Sequence, residues 1–166
     1  TTKAYWAGNG NYNASPPSNA VTLSVAKFTP TVTLAATNRA YNGNALYATA
    51  SVATPSGGKT MKGTIYYGTS AGATTYSVSY GGSGSVNLSS VSVTNVGSAT
   101  VYAYFKPDST CNDVYNNSGN ASKTFTITKA AMTCCTPSVK SGLVYNGSAQ
   151  VLVTDCTPTG GDIYYA

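Results

Sequence analysis

The sequence contains no histidine and no glutamate, and it is poor in charge of either sign. Charged residues make up 8% of the chain, where about 25% is usual in globular domains. Without an imidazole, a nucleophilic serine or cysteine lacks its usual base, and a zinc site lacks a common nitrogen ligand. We therefore expect a non-catalytic protein without a metal site or a cofactor.

The four aspartates do not make up for this lack. Asp108 and Asp113 flank Cys111 in one segment, and Asp155 and Asp162 lie in another. Their spacing differs from the dense carboxylate pattern of a calcium loop, and nothing in it fixes the separation that a glycosidase pair needs. Aspartates in such segments usually serve turns, and we expect that role here.

The positive charge is spread thinly. The net charge is +5, but the nine cations are scattered, and only Lys59 and Lys62 lie close together. High affinity for phosphates needs several cations acting together, so nucleic acid is not an expected partner. The sequence also lacks an apolar run of about 18 residues, so no membrane insertion is expected in this segment.

The residues that are abundant favour β-structure. Thr, Ser, Val, Asn and Gly dominate, and 14 tyrosines supply apolar surface. Apolar and polar residues alternate in short runs, which turn residues such as Asn42-Gly43 separate. Such runs, without helical periodicity, indicate two packed antiparallel sheets. The predicted strands lie at 32–35, 45–53, 63–67, 75–80, 85–93, 99–106 and 123–128.

Several motifs occur twice at similar spacing. Tyr41-Asn42-Gly43 returns as Tyr145-Asn146-Gly147, and each copy is followed by a Gly-Gly pair and an Ile-Tyr-Tyr run. A second group of matches links the start of the chain to its middle: Ala4-Tyr5-Trp6 with Ala103-Tyr104-Phe105, Tyr12-Asn13 with Tyr115-Asn116, and 22–27 with 124–129. Because the offsets all approximate the length of one small domain, the chain is predicted to be a tandem array.

The repeated motifs divide the chain into three parts. Residues 1–28 are predicted to be the C-terminal part of one repeat, with its last two strands and with Trp6 in its core. Residues 29–129 form a complete repeat, and residues 130–166 form the N-terminal part of a further one. The two partial units do not add up to a whole unit, so we expect the sequence to be a window from a longer protein.

Four segments carry a more specific resemblance. They are AYNGNALYATASV (40–52), VGSATVYAYF (96–105), TFTITKA (124–130) and YNGSAQ (145–150). They resemble bacterial Ig-like repeat domains, which occur in tandem in large surface proteins and in phage structural proteins. The resemblance covers essentially the whole chain. It implies an all-β, Ig-like antiparallel β-sandwich with one complete unit and two partial units.

The resemblance implies a function in presentation. The expected role is that of a structural spacer in an extracellular bacterial surface protein, fibre or stalk, with neighbouring repeats of the same protein as partners. One alternative is a phage virion decoration, tail or fibre protein, in which other copies are the partners. Another is an adhesin module that binds a glycan or a host surface protein. The localisation is accordingly extracellular or at the cell surface, or on a virion.

The cysteines are Cys111, Cys134, Cys135 and Cys156. In an Ig-like sandwich, the start of the first strand and the loop between the second and third strands lie at the same end. We therefore predict a Cys135–Cys156 or a Cys134–Cys156 disulfide, worth about 3 kcal/mol. Cys111 belongs to the preceding unit and is expected either to pair with another molecule or to remain free.

Tyr66, Tyr102 and Tyr104 are the candidates for a ligand or partner surface. Alternation places them on the sheet face opposite a second set of residues, Ile65, Tyr67, Val101 and Phe105. A row of tyrosines suits the recognition of sugars or of a partner surface. Tyrosine is equally a good residue for a half-exposed strand, with an apolar body and a wet tip. Both interpretations remain open from the sequence.

Overall fold

The computed structural model describes residues 1–56, 58–133, 136–154, 161–162 and 164. It divides into two compact units, Thr1–Thr128 and Lys129–Ala166. The described residues form ten strands and no helix, so the predicted all-β class is confirmed. A helix that is long and apolar enough to cross a membrane is not found among these residues.

The first unit contains eight strands in two sheets. In chain order they are β1 (Val32–Ala35), β2 (Arg39–Ala40), β3 (Leu46–Val52), β4 (Gly63–Gly68), β5 (Tyr76–Tyr80), β6 (Val86–Val93), β7 (Gly97–Pro107) and β8 (Ala121–Thr128). One sheet has the order β1-β3-β6, and the other has the order β2-β8-β7-β4-β5. Neighbouring strands are antiparallel except for β2, which runs parallel to β8.

The seven predicted strands are confirmed to within two residues at each end. Period-two alternation identifies them because one face of each strand meets the core. The missed strand is β2, which spans only Arg39–Ala40. Two residues are too few to display an alternation, so no sequence pattern marks this strand.

The two sheets pack face to face in a sandwich-like arrangement around an apolar core. In β7, for example, Val101, Ala103 and Phe105 are buried. Full burial of a valine or phenylalanine side chain is worth about 1.5–3 kcal/mol. The largest fully buried side chains are those of Phe105, Phe125, Met61, Ile65, Leu88, Ile127 and Val101.

Two buried tyrosines connect the sheets through their hydroxyls. Tyr67 of β4 hydrogen-bonds Ser90 Oγ of β6 at 3.0 Å. Tyr80 of β5 donates to the backbone carbonyl of Val52 in β3 at 3.2 Å. Each ring thus contributes apolar area to the core while its polar end is satisfied, as burial of tyrosine requires.

Residues 1–28 do not form the two strands that the sequence predicts. They form an irregular hairpin held by single bridges, Thr2 to Val21 and Asn9 to Tyr12. The ring of Trp6 meets that of Tyr12 edge-on, with the centroids 6.2 Å apart. Trp6 is 48% exposed, so its predicted core position is wrong. The physical reason is that no sheet formed by the described residues covers this hairpin, and an isolated two-stranded ribbon is marginal in water.

The second unit contains β9 (Ser138–Val139) and β10 (Val153–Thr154), which pair antiparallel with Val153 opposite Val139. Its Asn-Gly turn places Gly147 at φ +77°, where glycine is favoured, and the Asn146 side chain accepts a hydrogen bond from Ser148 N at 3.0 Å. The second Ile-Tyr-Tyr run, at 163–165, lies mostly outside the described residues.

Candidate functional site

The structure places Tyr66, Tyr102 and Tyr104 on the outer face of the five-stranded sheet, as alternation predicts. Tyr66 of β4 lies directly opposite Tyr104 of β7. Their rings are stacked, with centroids 5.5 Å apart and an interplanar angle of 20°. Tyr102 lies opposite Gly68, the last residue of β4. All three side chains are half-buried. The predicted set is therefore brought together at the centre of one sheet face.

The tyrosines are surrounded by hydroxyl groups. On one side, Ser98 bonds Thr126 and Thr100 bonds Thr124, each pair across β7 and β8 at 2.8 Å. On the other side, Ser77 of β5 lies opposite Tyr66. Among the outward-facing residues of β4, β5 and β7, all of which the structure describes, the one charged side chain is that of Lys106. The face is thus aromatic at its centre, polar at its rim and nearly neutral.

Two kinds of chemistry are available on this face. The stacked rings stabilise the pairing of β4 with β7, since such pairs are worth about 0.5–1.5 kcal/mol beyond their buried area. The exposed ring edges and hydroxyls can also meet a neutral partner that offers hydrogen-bond donors and acceptors. The described residues contain no cluster of three or more metal-ligating side chains here or elsewhere.

Cys111 lies in the loop between β7 and β8. Its side chain is buried, and Sγ donates to the backbone carbonyl of Lys62 at 3.0 Å. Within the part of the chain that the structure describes, it is the free cysteine. Burial keeps the thiol away from other molecules in this structure, which favours a free Cys111 over an intermolecular bond. Both alternatives stay predictions.

The same loop begins at Asp108, which organises a tight turn. Its carboxylate accepts hydrogen bonds from the Thr110 hydroxyl at 2.6 Å and from Thr110 N at 2.9 Å. The Thr110 hydroxyl is the main reason why the pKa of Asp108 lies below its ordinary value of 3.8. Asp113 of this loop forms an exposed 3.4 Å ion pair with Lys59, which contributes little to stability. Asp108 thus has the predicted turn role, whereas Asp113 contacts a lysine outside the loop.

Cys134, Cys135, Cys156 and Asp155 lie outside the described residues. The predicted Cys135–Cys156 or Cys134–Cys156 disulfide therefore stays a prediction.

One contact was missed by sequence reasoning. Phe28 pairs with Tyr115 of the β7–β8 loop, donates its N–H to Val114 O and accepts from Asn116 N, both at 2.9 Å. The rings of Phe28 and Tyr115 meet edge-on, with their centroids 6.2 Å apart. The Asn116 side-chain amide donates to Thr29 Oγ1 at 3.1 Å. The Tyr115-Asn116 motif was a usable signal, but the repeat alone does not reveal which segment it binds.

Comparison of the chain with protein-family models, with curated proteins and with solved structures finds no match.

Proposed function

We propose that this protein is a non-catalytic structural module, a tandem array of Ig-like sandwiches that acts as a spacer or stalk in an extracellular bacterial surface protein. The strand order supports the Ig-like assignment. The first strand, β1, is an edge of one sheet, and the next strand, β2, is an edge of the other. In the second sheet β4, β7 and β8 lie side by side. An Ig sandwich distributes its strands between two sheets in a comparable way.

The tandem arrangement is supported by one observation above all: particular hydrogen bonds between residue pairs recur at the repeat spacing. In the complete unit, Ser118 N donates to Phe105 O at 2.9 Å and Ser118 Oγ accepts from Phe105 N at 2.7 Å. In the N-terminal hairpin, Ser15 makes the same two bonds to Trp6, both at 2.9 Å. Trp6 is the sequence counterpart of Phe105, so the two hairpins share a register as well as a motif.

The second unit repeats the opening of the complete unit. Val139 pairs with Val153 in β9 and β10, and the residues at the corresponding positions, Ala35 and Thr49, pair in β1 and β3. The Asn-Gly turns agree too: Gly43 has φ +81°, and Asn42 accepts from Asn44 N at 3.1 Å, as Asn146 does from Ser148. Local sequence and local geometry thus recur together, as expected for successive copies of one fold.

A spacer must resist being pulled along the chain, and the pairing of β2 with β8 suits that load. The two strands lie near the opposite ends of the complete unit in sequence but run parallel, side by side. Tension applied at the two ends of the unit therefore slides one strand past the other. Sliding loads their hydrogen bonds together, whereas peeling an antiparallel hairpin would load them one at a time.

Single-molecule stretching of the chain, held by its two ends, tests this role. We expect the complete unit to resist and then unfold in one step, releasing roughly 3.3–3.6 Å of contour length for each residue freed. Tyr41 N donates to Thr128 O at 2.9 Å. Replacement of Tyr41 with proline removes that donor and should lower the unfolding force.

Tyr41→Ala is the matched control, because it removes the same side chain but keeps the N–H donor. Its unfolding force should stay close to that of the unmodified chain. A chain that extends smoothly without a step, or a Tyr41→Pro variant that unfolds at the same force as Tyr41→Ala, would contradict a mechanical role.

A second candidate function is the binding of a glycan, and the stacked tyrosines favour it. Tyr66 and Tyr104 lie on an open, nearly neutral face among serine and threonine hydroxyls. Neutral sugars offer hydroxyls for such a rim and C–H faces for aromatic rings.

A glycan array probed with the whole chain tests this candidate. One class of sugar should bind, and Tyr104→Ala should abolish the signal, whereas Thr126→Ala on β8 should retain most of it. An array without any bound class, or binding that survives Tyr104→Ala, would leave the stack with a structural role alone.

A further inference from the structure

The two sheets of the first unit have four edge strands, and three of them are protected. The edges are β1 and β6 in one sheet and β2 and β5 in the other. β2 is two residues long and carries Arg39, β1 has four residues and follows Pro30, and the pairing of β6 with β3 is irregular between Tyr47 and Thr49. Shortness, charge, proline and bulges are the usual means by which proteins prevent sheet edges from pairing with other chains.

The fourth edge, β5, has none of these features. It pairs with β4 in an unbroken register over five residue pairs, from Gly63 opposite Tyr80 to Tyr67 opposite Tyr76. No residue between Lys62 and Lys106 is charged, so neither β5 nor its flanking turns carry a repelling group. In the described structure the backbone of β5 is paired with β4 alone, which leaves the N–H and C=O groups of its other side facing outward.

The sequence of β5 is also self-complementary. It reads Tyr76-Ser77-Val78-Ser79-Tyr80, which is the same in both directions. If two copies pair antiparallel about a two-fold axis at Val78, valine meets valine, each Ser77 meets a Ser79, and each Tyr76 meets a Tyr80. Such pairs of like residues without charge are favourable across strands. A two-fold interface requires a surface that complements itself, and this strand meets that requirement.

We propose that β5 is a self-association edge, through which two copies of this chain join their five-stranded sheets by antiparallel β5–β5 pairing centred on Val78. Ser77 and Ser79 are exposed on the outer face, so their hydroxyls lie at the surface of the joined sheet. Val78 and Tyr80 point toward the core and keep their intramolecular contacts. Five residue pairs bury less area than a stable dimer interface, so the association is weak and concentration dependent.

Sedimentation velocity of the whole chain over a micromolar to millimolar concentration series tests the proposal. We expect a monomer–dimer equilibrium in the unmodified chain. The variant with both Ser77→Lys and Ser79→Lys puts lysine opposite lysine twice, which should weaken dimerisation about tenfold or more. Both serines are exposed, and circular dichroism of each variant verifies that the monomer stays folded.

A charge exchange fixes the location and the register. The variant with Ser77→Asp and Ser79→Asp should also stay monomeric alone, but a mixture of the lysine and aspartate variants should form a heterodimer, since each lysine then faces an aspartate. The matched control has Asn87→Lys and Ser89→Lys, two exposed positions of the other long edge strand, β6. It should dimerise like the unmodified chain.

Three results would overturn the proposal: a chain that stays monomeric throughout the concentration series, a lysine variant of β5 that dimerises like the unmodified chain, and a lysine–aspartate mixture that stays monomeric. Hydrogen exchange of the unmodified chain gives a measurement without any substitution. The backbone amides of β5 should exchange more slowly as the protein concentration rises, and an exchange rate independent of concentration would equally exclude the edge.

Discussion

Phe105 and Trp6 occupy matching places in two hairpins of the same design, yet their surroundings are opposite. Each is bonded through its backbone N–H and C=O to a serine nine or more residues later, Ser118 in one case and Ser15 in the other. Phe105 is fully buried, whereas Trp6 is 48% exposed. The local hydrogen bonds are therefore the same in the presence and in the absence of a covering sheet.

The difference shows which part of this fold is local. The serine side chain and the turn residues set the hairpin's register within about a dozen residues, without help from the rest of the unit. Burial of the aromatic residue depends instead on side chains from distant strands, such as Tyr80 of β5, whose ring meets Phe105 edge-on at 5.9 Å. The local hydrogen bonds thus set which residues pair, and packing against the other strands supplies most of the stability.

Replacing each aromatic residue with alanine should produce the largest contrast. Phe105→Ala leaves a cavity between the sheets and should cost about 3–5 kcal/mol of unfolding free energy. Trp6→Ala removes an exposed side chain and should change the stability of the sandwich by less than about 0.5 kcal/mol. Urea unfolding followed by circular dichroism measures both. Equal losses would mean that Trp6 is buried in solution and that the two hairpins do not differ.

The paired serines give a smaller contrast of the same kind. Ser118→Ala leaves the partly buried N–H of Phe105 without an acceptor and should cost about 1–2 kcal/mol. Ser15→Ala frees the N–H of Trp6, which is exposed and can bond to water, so its effect on urea unfolding should be within about 0.5 kcal/mol. Hydrogen exchange at the Phe105 amide should accelerate in the first variant, and an unchanged rate would contradict the role of Ser118.

The same distinction explains what could be predicted from the sequence. The sequence places Tyr66 and Tyr104 on one face because side-chain direction in a strand follows directly from residue parity. Their stacking adds a register between β4 and β7, which the pattern of either strand alone does not contain. The match of Trp6 with Phe105 predicts a core position for Trp6, but a motif match carries over local geometry and not the neighbours that bury a side chain.

Long-range features were the least accessible. The pairing of Phe28 with Tyr115 joins the last residue of the N-terminal part to the β7–β8 loop of the complete unit. The strand β2 is too short to display a period. The self-complementary sequence of β5 gains meaning only because β5 is a sheet edge. In each case the missing information is which strands are neighbours, and composition and periodicity do not determine that.

The smallest contrast concerns pH, and it involves Asp108 and its counterpart Asn9. Both side chains accept a hydrogen bond at 2.9 Å from the backbone N–H two residues later, Thr110 N for Asp108 and Asn11 N for Asn9. Only Asp108 can titrate. Its hydrogen bonds with Thr110 lower its pKa from the ordinary value of 3.8, so the folded state holds the charged form more strongly than the unfolded chain does.

Because the pKa of Asp108 is lowered in the folded state, acid reduces the stability of the fold. The contribution of Asp108 to stability is complete above pH 3.8 and is lost as the pH falls below that value through the lower pKa of the folded state. Asp108→Asn makes the loop resemble the N-terminal hairpin, so its stability should decline less between neutral and acidic pH than that of the unmodified chain. Thr110→Val should reduce the pH dependence in part, because it removes the hydroxyl but keeps the backbone donor.

Urea unfolding at several pH values measures all three chains. An Asp108→Asn chain with the full acid dependence would locate the titrating group elsewhere, and the turns at Asp108 and Asn9 would then be electrostatically equivalent.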